Sequence, residues 1–267
     1  MTRTNDERAA IDIAAAAGEL LLDHRKSLGE NDGDVATFKR RGRSAQSEFI
    51  VAELARRFPA DAVLSEEGAD DLARLAADRV WIVDPLDGTR EYGEAGRSDW
   101  AVHVALTENG VLTTGAVAMP ALAVTYSSSD DRTERDAATP VRVVVSRTRR
   151  PEPVMRMADS MGAELIEMGS AGAKAMAVVS GEADIYAHAG GQYEWDSAAP
   201  VAVARAAGLH VSRIDGSELR YNQENPWLPD LLICRPELAP KALEDWADDR
   251  DTDAPRTTRS REHSHHA

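Results

Sequence analysis

The chain has 267 residues, more than one simple core comfortably holds, so two lobes or one large α/β unit are expected. A formal charge of −15 argues against general binding to nucleic acid polymers, which would repel the chain at long range. Cys234 is the one cysteine, which rules out an internal disulfide and a cysteine-rich metal site, and no apolar run reaches membrane-spanning length.

Residues 1–17 lack a basic stretch followed by a long apolar one, so a cytoplasmic protein is expected. Thr4 and Glu7 have capping-box spacing, and Ile11, Ala14, Ala15, Gly18, Leu21 and Leu22 then share one face of a first helix. Residues 29–42 are polar and glycine-rich, and a second helix is expected over 44–58, ending before Pro59. The apolar run 80–83 reads as a buried strand that stops at Asp84-Pro85. Trp100, Val102, Val104 and Leu106 then alternate with Ala101, His103 and Ala105. Asn109-Gly110 supplies hairpin chemistry, and strands follow over 111–118 and 122–128. The first half therefore predicts two helices on an antiparallel sheet.

The polar segment 130–140 is the candidate boundary between a lobe over residues 1–135 and a second over 136–247. In the second, strands are expected at 141–145, 164–168, 183–187 and 231–234. Helices near 151–161, 173–180 and 198–207 alternate with them, which predicts an α/β lobe. Residues 248–267, with His263, His265 and His266, are nearly free of apolar side chains and are expected to form a disordered tail. There is no internal repeat.

The chemistry-bearing stretch is Asp84-Pro85-Leu86-Asp87-Gly88-Thr89, at the end of the buried strand. Two carboxylates beside a stiffening proline can converge on one ion, and hard oxygen ligands suit Mg²⁺ or Mn²⁺ better than zinc. Gly88-Thr89 could open a helix whose free N–H groups hold a phosphate oxygen. Taken alone, Asp-x-x-Asp also describes a turn followed by a cap. Ser65-Glu66-Glu67 and Trp195-Asp196 likewise read alone as a loop and a helix cap.

Together and in this order, the three segments resemble the lithium-sensitive inositol monophosphatase family over most of the chain, to about residue 247. Asp87-Gly88-Thr89-Arg90-Glu91-Tyr92 and Gly169-Ser170-Ala171-Gly172-Ala173-Lys174 resemble its CysQ branch, which removes the 3′-phosphate of 3′-phosphoadenosine 5′-phosphate. The resemblance implies a layered α-β-α-β-α sugar-phosphatase fold of the α+β / α/β class. It also implies two or three Mg²⁺ per site, held by Glu66, Asp84, the carbonyl of Leu86, Asp87 and Asp196. Gly88 and Thr89 match the phosphate-binding turn, with Thr89 and Glu66 near the attacking water. Gly169, Ser170 and Ala171 match a loop that meets the organic part of the substrate. Water activated by the metal attacks phosphorus directly in such a site, and no nucleophilic serine or cysteine is needed.

His188 stands where inositol-selective relatives place a glutamate, and Lys174 could pair with a second phosphate; each also has an ordinary structural reading. The run Lys39-Arg40-Arg41-Arg43 reads as a solvated loop. Arg43 falls where the family has an aspartate bonded to the threonine here numbered Thr89, and Asp32 or Asp34 could substitute for it. The expected substrate is the nucleotide bisphosphate or its 5′-phosphosulfate. Inositol 1-phosphate, fructose 1,6-bisphosphate and a non-catalytic binding protein are the alternatives, and homodimers are common among relatives.

Overall fold

The computed structural model describes residues 4–26, 35–130 and 140–252. The first helix, α1 (Asn5–Lys26), opens with the expected box: Glu7 N–H donates to Thr4 Oγ1 (3.2 Å) and Thr4 N–H to Glu7 Oε2 (2.7 Å). The second, α2 (Val35–Arg57), ends as expected but starts at Val35 rather than Ser44. Strong helix formers Ala36, Lys39, Arg40 and Arg41 carry it across Gly42, whose cost in a helix is about 1 kcal/mol.

The first sheet takes its strands in chain order: β1 (Ala62–Ser65), β2 (Arg79–Asp87), β3 (Ala101–Glu108), β4 (Val111–Met119) and β5 (Val124–Ser127). It is not wholly antiparallel, because β1 and β2 run parallel. The segment 66–78, with a 3₁₀ turn at Leu72–Ala76, is long enough to return the chain to the same edge. β2 also runs past Asp84-Pro85 to Asp87, and a single turn, α3 (Thr89–Tyr92), follows it.

The second half alternates β6 (Arg142–Ser146), α4 (Glu152–Ser160), β7 (Glu164–Met168), α5 (Ala171–Ser180), β8 (Ile185–Tyr193) and α6 (Glu194–Ala206). Then come β9 (His210–Ser212), β10 (Trp227–Cys234) and α7 (Ala239–Thr252). The strand order is β7-β6-β8-β10-β9, with β6 parallel to both neighbours and β10 antiparallel to both. β8 is longer than expected and α6 starts earlier, at Glu194; β9 and α7 were not anticipated. α7 buries Ala239, Ala242 and Trp246 and runs to Thr252, into the stretch expected to be a tail. The rest of that stretch, 253–267, lies outside the described residues, as does 131–139 of the expected lobe boundary.

Alternation along the strands builds the layers. Val102, Val104 and Leu106 of β3, with Trp81 and Val83 of β2, pack against Ile13, Ala17 and Leu21 of α1 and Ile50 and Leu54 of α2. Ala101 and Ala105, with Val80 and Ile82, face the other way, onto α5 and α6. Those helices also cover Val144, Tyr186, Leu231 and Ile233 of the second sheet. The far face of that sheet, Val143, Val145, Ile185 and Leu232, packs on α4 and α7. The result is the α-β-α-β-α layering, with a middle core drawn from both halves of the chain. Each fully buried large apolar side chain there contributes about 1.5–3 kcal/mol.

Small residues let β4 and α6 approach closely. A Cβ on Gly115 would stand 2.6 Å from Ala202 Cβ and 2.8 Å from the Ala199 carbonyl oxygen. Gly115→Val is expected to destabilise the protein by about 1–3 kcal/mol through overpacking. Urea unfolding measures it, and an unchanged midpoint would contradict this packing.

Candidate active site

In a regular strand Asp84 and Asp87, three residues apart, would point to opposite faces. β2 avoids this with a bulge: Asp84 lies opposite His103, but Asp87 lies opposite Ala101, so one extra residue sits on β2. Both carboxylates therefore turn toward the middle layer. Asp84 accepts a hydrogen bond from Leu86 N–H (2.9 Å), and Thr89 Oγ1 donates to the Leu86 carbonyl (3.3 Å), which ties the turn together.

Asp87 is met by the first turn of α5. Ala171 N–H (3.3 Å) donates to Oδ1 and Gly172 N–H (2.6 Å) to Oδ2. The fully buried His103 brings Nε2 within 3.3 Å of Oδ2, while its Nδ1–H donates to the Trp195 carbonyl at 3.0 Å. Burial alone would raise the Asp87 carboxyl and lower His103. Their mutual attraction, with the Gly172 N–H and Lys174 at Asp87 and the Trp195 carbonyl and Asp196 at His103, outweighs it, so Asp87 is held below the usual carboxylate range and His103 above the usual imidazole value. A side chain at position 172 would collide with the His103 ring, so glycine is required there.

Asp196 comes from the first turn of α6, where its Oδ2 also accepts Tyr193 N–H at 2.7 Å, so it is a helix cap as well as a site residue. Oxygens of Asp84, Asp87 and Asp196 lie within 4.8 Å of one another. Complete burial pushes Asp84 well above the carboxylate range, and Glu66, Asp87 and Asp196 push it further. Burial and Asp87 raise Asp196 to about 6. Glu66, at the end of β1, is also raised by burial, with Arg43 opposing. Three crowded carboxylates whose charge is costly without a cation form a hard-oxygen donor set that fits a divalent ion such as Mg²⁺ or Mn²⁺.

Arg43, at the position of the expected aspartate, contacts two glutamates. Its Nε lies 2.7 Å from Glu67 Oε1 and its Nη1 3.4 Å from Glu66 Oε1. Asp32 and Asp34, the candidate replacements, lie outside the described residues, as do the side chains of Lys39, Arg40 and Arg41.

Above the carboxylates opens a cleft of about 460 Å³, lined among others by Asp87, Gly88, Thr89, Gly169, Ser170, Ala171, Lys174, His188 and Asp196. Gly88 (φ 82°) makes the sharp turn into α3. Gly169 N–H donates to Asp99 Oδ2 (2.6 Å) and Ser170 N–H to the Asp99 carbonyl (3.3 Å), while Ser170 Oγ caps α5 through Ala173 N–H. Lys174 is not an exposed lysine. It is buried, lowered to about 8 by that burial, and its Nζ donates to the carbonyls of Gly169 (2.5 Å) and Ser170 (2.7 Å). His188 Nε2–H donates to the Gly191 carbonyl (2.9 Å), leaving Nδ1 as an acceptor. Burial lowers its basicity, which favours the neutral form.

Four residues at the site were not singled out from sequence. His103 is the lone ionisable side chain on the inner face of an apolar strand, a legible signal. Arg149, Tyr193 and Trp227 line the cleft as exposed side chains of unremarkable sequence context. Tyr193 and Trp227 lie opposite each other on β8 and β10.

The inositol monophosphatase family model matches residues 3–246. The chain belongs to that family. It is 48% identical over 255 residues to the 3′-phosphoadenosine 5′-phosphate phosphatase of Mycobacterium leprae, covering 89% of this chain and 92% of that one. It is 50% identical over 236 residues to the protein of the same name from Mycobacterium bovis, covering 85% and 88%. The crystal structure of CysQ from Bacteroides thetaiotaomicron, 31% identical, superposes with a TM-score of 0.73 over 86% of this chain and 96% of that one. The chain is thus a phosphatase of the inositol monophosphatase family, with the fold expected of it.

The carboxylate cluster has a pH signature. Asp196, at about 6 when folded against 3.8 ordinarily, holds its proton more tightly in the native state. The stability this gives metal-free protein is full below about pH 4 and lost as pH rises through about 6. A divalent ion relieves the repulsion and needs the ionised carboxylates. The rise in melting temperature on adding millimolar Mg²⁺ is therefore expected to be larger at pH 8 than at pH 5, measured by differential scanning fluorimetry. No Mg²⁺ effect at pH 8 would contradict a metal centre here.

Proposed function

We propose that this chain is a divalent-metal-dependent phosphatase that removes the 3′-phosphate of 3′-phosphoadenosine 5′-phosphate, with the 5′-phosphosulfate as a second substrate. The convergence of Asp84, Asp87 and Asp196 at the floor of a cleft with cationic and aromatic walls carries this reading. The names of the relatives at 48% and 50% identity support it.

A bound Mg²⁺ supplies charge to the phosphoryl oxygens and lowers the pKa of water. Asp87 is oriented for this by two α5 amides and His103, which fix the carboxylate without protonating it. Thr89 donates its hydroxyl proton to Leu86, so its lone pairs remain acceptors for a water hydrogen. The turn at Gly88 exposes backbone N–H groups suited to a phosphate oxygen.

Beyond the phosphate, Tyr193 and Trp227 offer π-faces that suit a purine better than a polyol. Neutral His188, with an acceptor nitrogen in place of a carboxylate, also gives little reason to select an inositol. Arg149, exposed at the cleft, is the cation proposed for the second phosphate. Lys174 spends two of its three donors holding its own loop, so it is proposed to shape that loop and offer at most one hydrogen bond to the ligand. The single, buried Cys234 accords with a reducing cytoplasm, and among the described residues no helix is long and apolar enough to cross a membrane.

A phosphate-release panel tests the reading. With Mg²⁺, the nucleotide bisphosphate is expected to be cleaved with higher kcat/KM than inositol 1-phosphate or fructose 1,6-bisphosphate, and Asp87→Asn is expected to lose activity while remaining folded. Faster cleavage of inositol 1-phosphate would overturn the substrate assignment.

Arg149 and Lys174 should separate in such assays. Arg149→Ala is expected to lower kcat/KM about tenfold for the bisphosphate, the value of one charge-assisted contact, and to leave inositol 1-phosphate nearly unchanged. Lys174→Ala should impair both substrates, because it releases the loop that holds Asp87.

A further inference from the structure

A buried polar group that no neighbour satisfies is costly to the free protein, and a ligand that supplies the missing partner recovers that cost. Among the described residues, two such side chains line the cleft: the hydroxyl of Tyr186 and the amide of Gln192. Gln192 lies opposite Leu228, next to the Tyr193–Trp227 pair of the aromatic wall. Tyr186, only 1% exposed, lies on the same strand nearer the charged floor.

The Tyr186 ring is held rigidly. β8 runs between β6 and β10, and Tyr186 pairs with Val144 on one side and Ile233 on the other. Lys174 Nζ stands 5.4 Å from the ring centroid and is itself fixed by the carbonyls of Gly169 and Ser170. Burial raises the pKa of the phenol most, Asp87 and Asp196 raise it further, and Arg149 opposes them. The phenol therefore keeps its proton and serves as a donor. The hydroxyl is also within electrostatic reach of both the carboxylate floor and Arg149, the cation proposed for the second phosphate. With a 3′-phosphate at the floor and a 5′-phosphate at Arg149, the ribose spans that interval.

We propose that Tyr186 is a specificity-determining residue whose hydroxyl donates a hydrogen bond to the ribose 2′-hydroxyl, the oxygen vicinal to the scissile 3′-phosphate. This rests on the nucleotide bisphosphate being the substrate. The neighbouring 3′ ester oxygen belongs to the metal site, and a phenol that holds its proton this tightly is a poor general acid for it. A tyrosine that served packing alone would be matched by phenylalanine, since the ring is what the middle core contacts and the hydroxyl has no protein partner there.

The test compares wild type with Tyr186→Phe on 3′-phosphoadenosine 5′-phosphate and on its 2′-deoxy analogue, both with saturating Mg²⁺. Wild type is expected to prefer the ribonucleotide by about tenfold in kcat/KM, the scale of one buried hydrogen bond. Tyr186→Phe should lose about tenfold on the ribonucleotide and less than about twofold on the deoxy analogue, so that the preference disappears. Its melting temperature without ligand, by differential scanning fluorimetry, should be unchanged or higher by about 2–4 °C, because an unpartnered polar group has been removed. Equal losses on the two substrates, no loss on the ribonucleotide, or a preference that survives in Tyr186→Phe would overturn the assignment. So would a melting temperature lowered by more than about 2 °C, or failure to fold by circular dichroism, since either means that the hydroxyl has a structural partner. Wild type that leaves both nucleotides intact and cleaves inositol 1-phosphate would overturn the substrate reading and the role of Tyr186 with it, an outcome distinct from nucleotide cleavage that ignores Tyr186.

Discussion

Carboxylates gathered in a partly dry cleft repel one another, and much of this molecule is arranged around that repulsion. Each member of the cluster has a different answer to it. Asp87 receives two amides from the start of α5 and faces a buried imidazole. Glu66 shares a guanidinium with Glu67. Asp84 has one backbone N–H within its own turn, and Asp196 has one from the N-terminus of α6. The last two are accordingly those whose charges burial and their neighbours oppose most. A divalent cation is the group that this imbalance suits.

Several features of the fold serve the same convergence. The bulge in β2 turns Asp87 to the side of Asp84, and the parallel β1 ends with Glu66 beside them. α5 and α6, sandwiched between the two sheets, both aim their N-termini at the cluster. Positive helix ends and free N–H groups there favour negative charge. Small residues such as Gly115, Ala199 and Ala202 allow α6 to lie close on the first sheet. The close contact of Gly172 with His103 and Asp87 does the same for α5.

Charge handling and ligand selection fall to different parts of the chain. The carboxylates and the phosphate turn come mostly from β1, β2 and α3. The walls come from the second half: the loop opening α5, Arg149 after β6, and Tyr193 and Trp227 on paired strands. A family that keeps its floor can thus alter its walls. Lys174 shows how a side chain that looks like a ligand cation can instead be committed to backbone carbonyls, because a buried ammonium needs partners wherever it lies.

The sequence by itself determined the elements whose signals are local. The Thr4–Glu7 box, the Asn109-Gly110 hairpin, the period-two run of β3 and the βαβ alternation of the second half are all present. So are the acidic segments, whose residue types and order pointed to the family. Local signals failed where neighbours decide. The extension of β2 through Asp84-Pro85, β9, and α7 with its buried Ala239, Ala242 and Trp246 are stabilised by packing that no short window contains. The same holds for the site. His103 is separated by 16 residues from its partner Asp87, and Arg43 is 23 residues from Glu66, so their pairing exists only once strands and helices are docked. Charges act through space and across the middle layer, and that distance is set by the tertiary structure alone.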